Sequence, residues 1–137
     1  MTLPEAAHLE IEQGKTFQYW FSVVYPDGEI ADLPAAGYST ARMQVRQILD
    51  DGTVGDVMLD LSTANGRIQL ERTYDLPEDD PDRMLWSGYL WVGATTTAAL
   101  HPWGWGVFDL EIEKDGNPDD VVPVLRGTAV LVTEASL

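Results

Sequence analysis

The chain has no cysteine, two histidines and 8 basic residues among 137, and each shortage removes a class of chemistry. Without thiols there is no disulfide framework, no zinc–thiolate site and no thiol nucleophile. Compartment stays open, because a cysteine-free chain suits the cytosol and equally a disulfide-free extracellular particle. The usual general base near neutral pH is restricted to His8 and His101, and neither lies in a motif, so both read as surface or capping residues. Against the few Lys and Arg stand 23 Asp and Glu, a formal charge of −15. Such a field repels a phosphate backbone, and direct nucleic-acid binding is not expected. Long apolar runs are also missing: "VVPVLRGTAVLV" is broken by Pro123 and Arg126, well short of a membrane span. The opening "MTLPEAAHLEIEQG" has neither the basic nor the apolar region of a secretory signal. The expectation is a soluble chain with no membrane partner, which reaches the outside of a cell, if at all, by lysis or within an assembly.

What the sequence does have is two-residue alternation. In "KTFQYWFSVVY" the residues Phe17, Tyr19, Phe21, Val23 and Tyr25 share one face, with Gln18, Trp20, Ser22 and Val24 on the other, and "PDGE" then makes a turn. Ala41, Met43 and Val45 alternate with Arg42, Gln44 and Arg46 in a second strand. "DVMLDL" and "RIQLER", joined by "STANG", read as a hairpin turned at Asn65-Gly66. "RTYDLPEDDPDR" reads as a surface loop and "MLWSGYLWVG" as a strand. "ATTTAALHPWG" is the one candidate helix, capped by Thr95 or Thr96 and ended by Pro102 and Gly104. A closing pair, "WGVFDLEIEK" and "DVVPVLRGTAVLVT", turns at "DGNP", with Phe108, Leu110 and Ile112 inward. Seven to nine short strands with frequent turns predict an all-β, antiparallel immunoglobulin-like sandwich with one short helix. One domain spans 1–137, with residues 1–8 as a flexible arm.

Catalytic and metal signals are thin. Asp109, Glu111 and Glu113 lie on one strand face, side by side rather than opposed across a bond as glycosidase acids must be. "DGNPD" resembles the start of a calcium loop, but Asp120 and Arg126 stand where an EF-hand needs Gly and Glu. Glu78 to Asp82 gathers four carboxylates, which leaves ion binding open beside the plain reading of a solvated loop. Neither phosphate-loop pattern occurs. No cofactor and no enzymatic activity are expected. Most of the five tryptophans belong in a core; Trp103 and Trp105, flanked by glycines, and Trp86 are the candidates for contact with a glycan or a partner.

In order along the chain, "LEIEQGKTFQYWFSVVYPDGEIADL", "GYSTARMQVRQ", "LDLSTANGRIQL", "ATTTAALHPWGWGVFDLEI" and "VVPVLRGTAVLV" resemble small β-sandwich domains of tailed-bacteriophage virion proteins. The likeness is to tail and tail-fibre-associated modules of actinobacterial phages and to upper-baseplate modules. It rests on Gly14, Thr16 and Phe17; on Ala41, Arg42, Val45 and Arg46; on Asn65 to Ile68; on Thr97 to Leu100; on Phe108 to Glu111; and on Arg126 to Thr128. The resemblance implies a structural virion protein, made in the bacterial cytoplasm and built into the particle as a symmetric oligomer at the tail tip or tail-fibre base. Other virion proteins would be its partners. Alternatives are a capsid decoration protein, or a carbohydrate-binding module on host cell-wall glycan. The stretch from Thr73 to Val92 departs from the pattern.

Overall fold

The computed structural model describes residues 5–101 and 103–133. Alternation is realised as β1 (Glu5–Glu12), β2 (Phe17–Phe21), β3 (Tyr38–Ile48), β4 (Val54–Ser62), β5 (Ile68–Tyr74), β6 (Leu85–Val92), β7 (Trp105–Lys114) and β8 (Asn117–Val132), with helix α1 (Ala94–Ala98) between β6 and β7. Two sheets pack face to face, ordered β1-β8-β7-β3-β4 and β2-β6-β5. With β2, β6 and β5 in the places of strands B, E and D, and β8, β7, β3 and β4 in those of G, F, C and C′, the arrangement is immunoglobulin-like. It is the expected all-β sandwich with one short helix. One pairing departs from the antiparallel expectation: β1 runs parallel to β8, from Glu5 opposite Leu125 to Glu12 opposite Val132.

Inward positions follow the period of two. Ala41, Met43 and Val45 of β3 and Phe108, Leu110 and Ile112 of β7 meet Phe17, Phe21, Ile68, Leu90 and Val92 from the other sheet, all buried. The connection between β2 and β3 adds Val23, Ala31 and Leu33 to the same core. The buried Ser87 hydroxyl is satisfied: its Oγ accepts from the Val23 amide at 2.9 Å.

Residues 5–8 are not a free arm. β1 inserts Leu9 and Ile11 fully into the core, and burial of each contributes roughly 1.5–3 kcal/mol, enough to hold the strand in place. The arm expected over residues 1–4 lies outside the described residues. β1 also answers the exposure of the weakly charged β8, which gains strand partners on both sides, β7 and β1. Pro123 sits where the β7–β8 register shifts and beyond the reach of β1, a place where a missing N–H does no harm.

The Asn65-Gly66 turn does not close a hairpin. β4 edges the five-stranded sheet and β5 the three-stranded one, so "STANG" carries the chain between layers. Asn65 builds this corner: its Oδ1 accepts from the amides of Ser62 (2.9 Å) and Arg67 (3.1 Å), and its Nδ2 donates to the Asp60 carbonyl (3.0 Å). Gly66 supplies the left-handed backbone, φ 78°. The inward residues Leu59, Leu61 and Ile68 thereby face one another across the core instead of lying side by side on one sheet. β5 pairs instead with β6, Ile68 opposite Leu90, and continues to Tyr74, so the loop expected from Arg72 starts at residue 75.

Helix α1 is capped by Gly93, with no side-chain cap from Thr95 or Thr96, and it ends at Ala99, ahead of the expected stops at Pro102 and Gly104. Thr97 faces inward instead; its Oγ1 donates to the Lys15 carbonyl at 2.7 Å, with the Ala94 carbonyl as the longer, alternative acceptor at 3.1 Å. Gln13 Nε2 donates in turn to the Leu100 carbonyl at 3.1 Å. The helix is a clamp on the β1–β2 turn. No helix among the described residues is long and apolar enough to cross a membrane.

Candidate functional site

The three tryptophans singled out from sequence occupy three unlike places. Trp103 is 4% exposed, and its Nε1 donates to the Ala129 carbonyl at 3.2 Å; it plugs the end of the sandwich and is unavailable to a ligand. Its glycine neighbour signalled a turn, not exposure. Trp86 lies half-buried in β6 opposite Thr73. Its buried Nε1 has no acceptor in full hydrogen-bond geometry, but a weak side-chain hydrogen bond to the Asp75 carboxylate helps to hold that group low. Trp105 alone is open, 58% exposed, at the outward start of β7. Its ring tilts against His8, centroids 5.5 Å apart, while His8 Nδ1 and Thr128 Oγ1 share a 2.7 Å hydrogen bond.

The outer face of the five-stranded sheet is charged but locally balanced. Arg42 meets Glu111 (3.5 Å) and Glu113 (3.8 Å), and Arg126 meets Asp109 (3.1 Å). Arg46 donates to Gln44 Oε1 at 2.8 Å. A shallow groove of about 600 Å³ crosses this face, lined by Arg42, Arg46, Asp60, Val107, Asp109 and Glu111 among others. Val54 and Val57 on the edge strand β4 are exposed beside it, as Trp105 is farther along β7. These exposed ion pairs orient side chains and contribute little stability, typically about 0–1 kcal/mol each.

The outer face of the three-stranded sheet is different in kind. Alternation turns Gln18 and Trp20 of β2, Tyr89 and Trp91 of β6 and Gln69 of β5 to one side. The register sets Gln18 against Trp91 and Trp20 against Tyr89, and Gln69 against Tyr89. Trp20 and Tyr89 stack at 4.7 Å in a tilted pair. A groove of about 310 Å³ is lined by Gln18, Gly66, Gln69, Tyr89 and Trp91. The alternation that puts Phe17 and Phe21 inside already places Gln18 and Trp20 outside; Tyr89 and Trp91 joining them could be seen only once β6 was known to lie between β2 and β5.

The acidic segments are structural by their contacts. Asp75 accepts from the Met84 amide at 2.8 Å; that bond first, and Trp86 second, hold its carboxyl below the usual carboxylate value. Within the loop, Asp80 accepts from the Asp82 amide at 2.9 Å, and Arg83 lies over the Tyr74 ring at 4.0 Å. Asp51 is held low by the Thr53 hydroxyl and then by the Thr53 amide. Among the described residues no three His, Asp or Glu side chains converge to hold a metal ion, those of Glu78 to Asp82 included.

No protein-family model matches the chain, and no curated protein matches its sequence. The functional argument therefore rests on the surfaces just described.

Proposed function

We propose that the chain is a structural module of a tailed-bacteriophage virion, placed at the tail tip or tail-fibre base, and that it docks on neighbouring subunits through the outer face of its five-stranded sheet. The observation that carries the docking surface is its charge balance. A chain of net charge −15 repels its own copies and other acidic proteins, yet this face gathers Arg42, Arg46 and Arg126, three of the 8 basic residues, against Asp60, Asp109, Glu111 and Glu113. Exposed Val54, Val57 and Trp105 give it apolar area to bury, which a surface of ion pairs alone lacks. The virion setting is supported by the segment resemblance. The sequence motifs of that resemblance fall at joints of the sandwich: Arg126, Gly127 and Thr128 hold β7 and β1 to β8, and Thr97 to Leu100 hold the β1–β2 turn.

Quantitative mass spectrometry of phage particles that react with an antibody to the purified chain tests the placement. Copies in small multiples of three or six per particle are expected for a tail-tip or fibre-base module. Copies in the hundreds would make it a shell or tube decoration, and absence from particles would remove the virion reading altogether.

A further inference from the structure

We propose that the outer face of the three-stranded sheet binds a neutral carbohydrate chain, with Trp91 and Tyr89 as stacking surfaces and Gln18 and Gln69 as hydrogen-bonding arms. The inference does not depend on the virion reading and uses the sheet opposite the proposed docking face. None of Gln18, Gly66, Gln69, Tyr89 and Trp91, which line the groove, carries a charge at neutral pH, although the chain has 23 acids. The ligand that fits such a lining is itself uncharged. Trp91 keeps 44% of its surface exposed, and the negative face of an aromatic ring attracts the weakly positive C–H groups that line one side of a pyranose.

The amides supply what stacking lacks. Gln69 Nε2 is fixed by donation to the Gly66 carbonyl at 3.0 Å, which leaves its Oε1 free to accept from a sugar hydroxyl. Gln18 is exposed and its side chain makes no hydrogen bond among the described residues, so it can donate and accept. Beside them Gly66, which lines the groove, has nothing within 4 Å of where a Cβ would stand. Trp20, stacked on Tyr89, fixes the tyrosine ring from the neighbouring strand. All the aromatic groups stand on strands rather than loops, which keeps their spacing constant.

Other occupants fit less well. Single-stranded nucleic acid also stacks on aromatic rings, but its phosphates would enter the field of a −15 chain. A protein interface is enriched in Trp and Tyr but also in Met and Arg, and this lining carries neither Met nor Arg.

The test is isothermal titration of the intact chain with cellohexaose, maltohexaose and chitohexaose as neutral probes and a galacturonic acid hexamer as the charged control, with tryptophan fluorescence read in parallel. Binding of at least one neutral probe with quenching is expected, and Trp91→Ala and Gln18→Ala should each weaken it about tenfold or more. Leu76→Ala, exposed in the loop between β5 and β6, should leave it unchanged, and thermal unfolding of the Trp91 and Gln18 variants checks that they fold. The proposal fails if no neutral probe binds at millimolar concentration, if the charged hexamer binds better, or if affinity survives Trp91→Ala. It fails equally if sedimentation shows that Trp91→Ala dissociates a dimer, since a second copy would then be the occupant.

Discussion

Gly127 shows how one missing side chain can decide the position of a whole strand. It pairs with Ala7 across the parallel β1–β8 ladder, and a Cβ built on it would lie 1.8 Å from the Ala7 carbonyl oxygen. No rotamer relieves that clash, because both partners are backbone. Gly127→Ala is expected to push β1 off β8, withdrawing Leu9 and Ile11 from the core, at a cost of at least about 2 kcal/mol. Urea denaturation would measure the loss, and faster amide exchange confined first to residues 5–12 would locate it; an unchanged midpoint would mean that β1 contributes nothing to stability. Asp75 acts at the same scale through charge. Its carboxyl is held below the ordinary 3.8 by the Met84 amide and then by Trp86, so the stability it adds is present above pH 3.8 and is lost as pH falls through the lower folded value. Asp75→Asn should therefore lower Tm at neutral pH, and the gap to the parent chain should close in acid. A gap that widens in acid would reverse the assignment.

At the scale of elements, α1 matters for what it grips. Its five residues are too few to be stable alone, and the hydrogen bond from Thr97 to the Lys15 carbonyl fastens it to the β1–β2 turn. Thr97→Val keeps the shape and removes the donor, and should cost about 1 kcal/mol with faster exchange in residues 13–16. No change in the denaturation midpoint would show that packing of Leu100 alone seats the helix. Elements of this kind also mark where the sequence could and could not be read. The alternation of β3 and β7 announced both strands and their inward faces, because each has one wet face and one dry face. The layer change at Asn65-Gly66 was not legible: a tight turn between two amphipathic strands has the same local signature whether the strands pair or face each other across a core. The same blindness hid the candidate carbohydrate face, since Trp20, Tyr89 and Trp91 come together only through the β2–β6 register. Trp103 misled for a related reason: it is buried in the core, and its Nε1 is bonded to the Ala129 carbonyl, 26 residues away.

For the whole molecule, charge sets the terms on which anything can dock. Two copies at −15 each repel at distances up to the Debye length, about 10 Å at 0.1 M salt, while pairs across a formed contact are shorter and less screened. If the five-stranded face meets a second copy, raising salt from about 20 mM to about 150 mM should tighten association by screening that repulsion. A basic neighbour would show the opposite trend, with affinity falling as salt rises. Arg46→Glu separates the face from the background: the side chain is exposed and, among the described residues, hydrogen-bonds to Gln44, so the fold should be unaffected. Reversing its charge would make a nearly balanced surface markedly more negative, and association should weaken about tenfold or more. Sedimentation velocity across that salt range, on the parent chain and on Arg46→Glu, measures both effects. Association that ignores the substitution would move the docking surface off this sheet, and a strict monomer with no affinity for particle proteins would remove it.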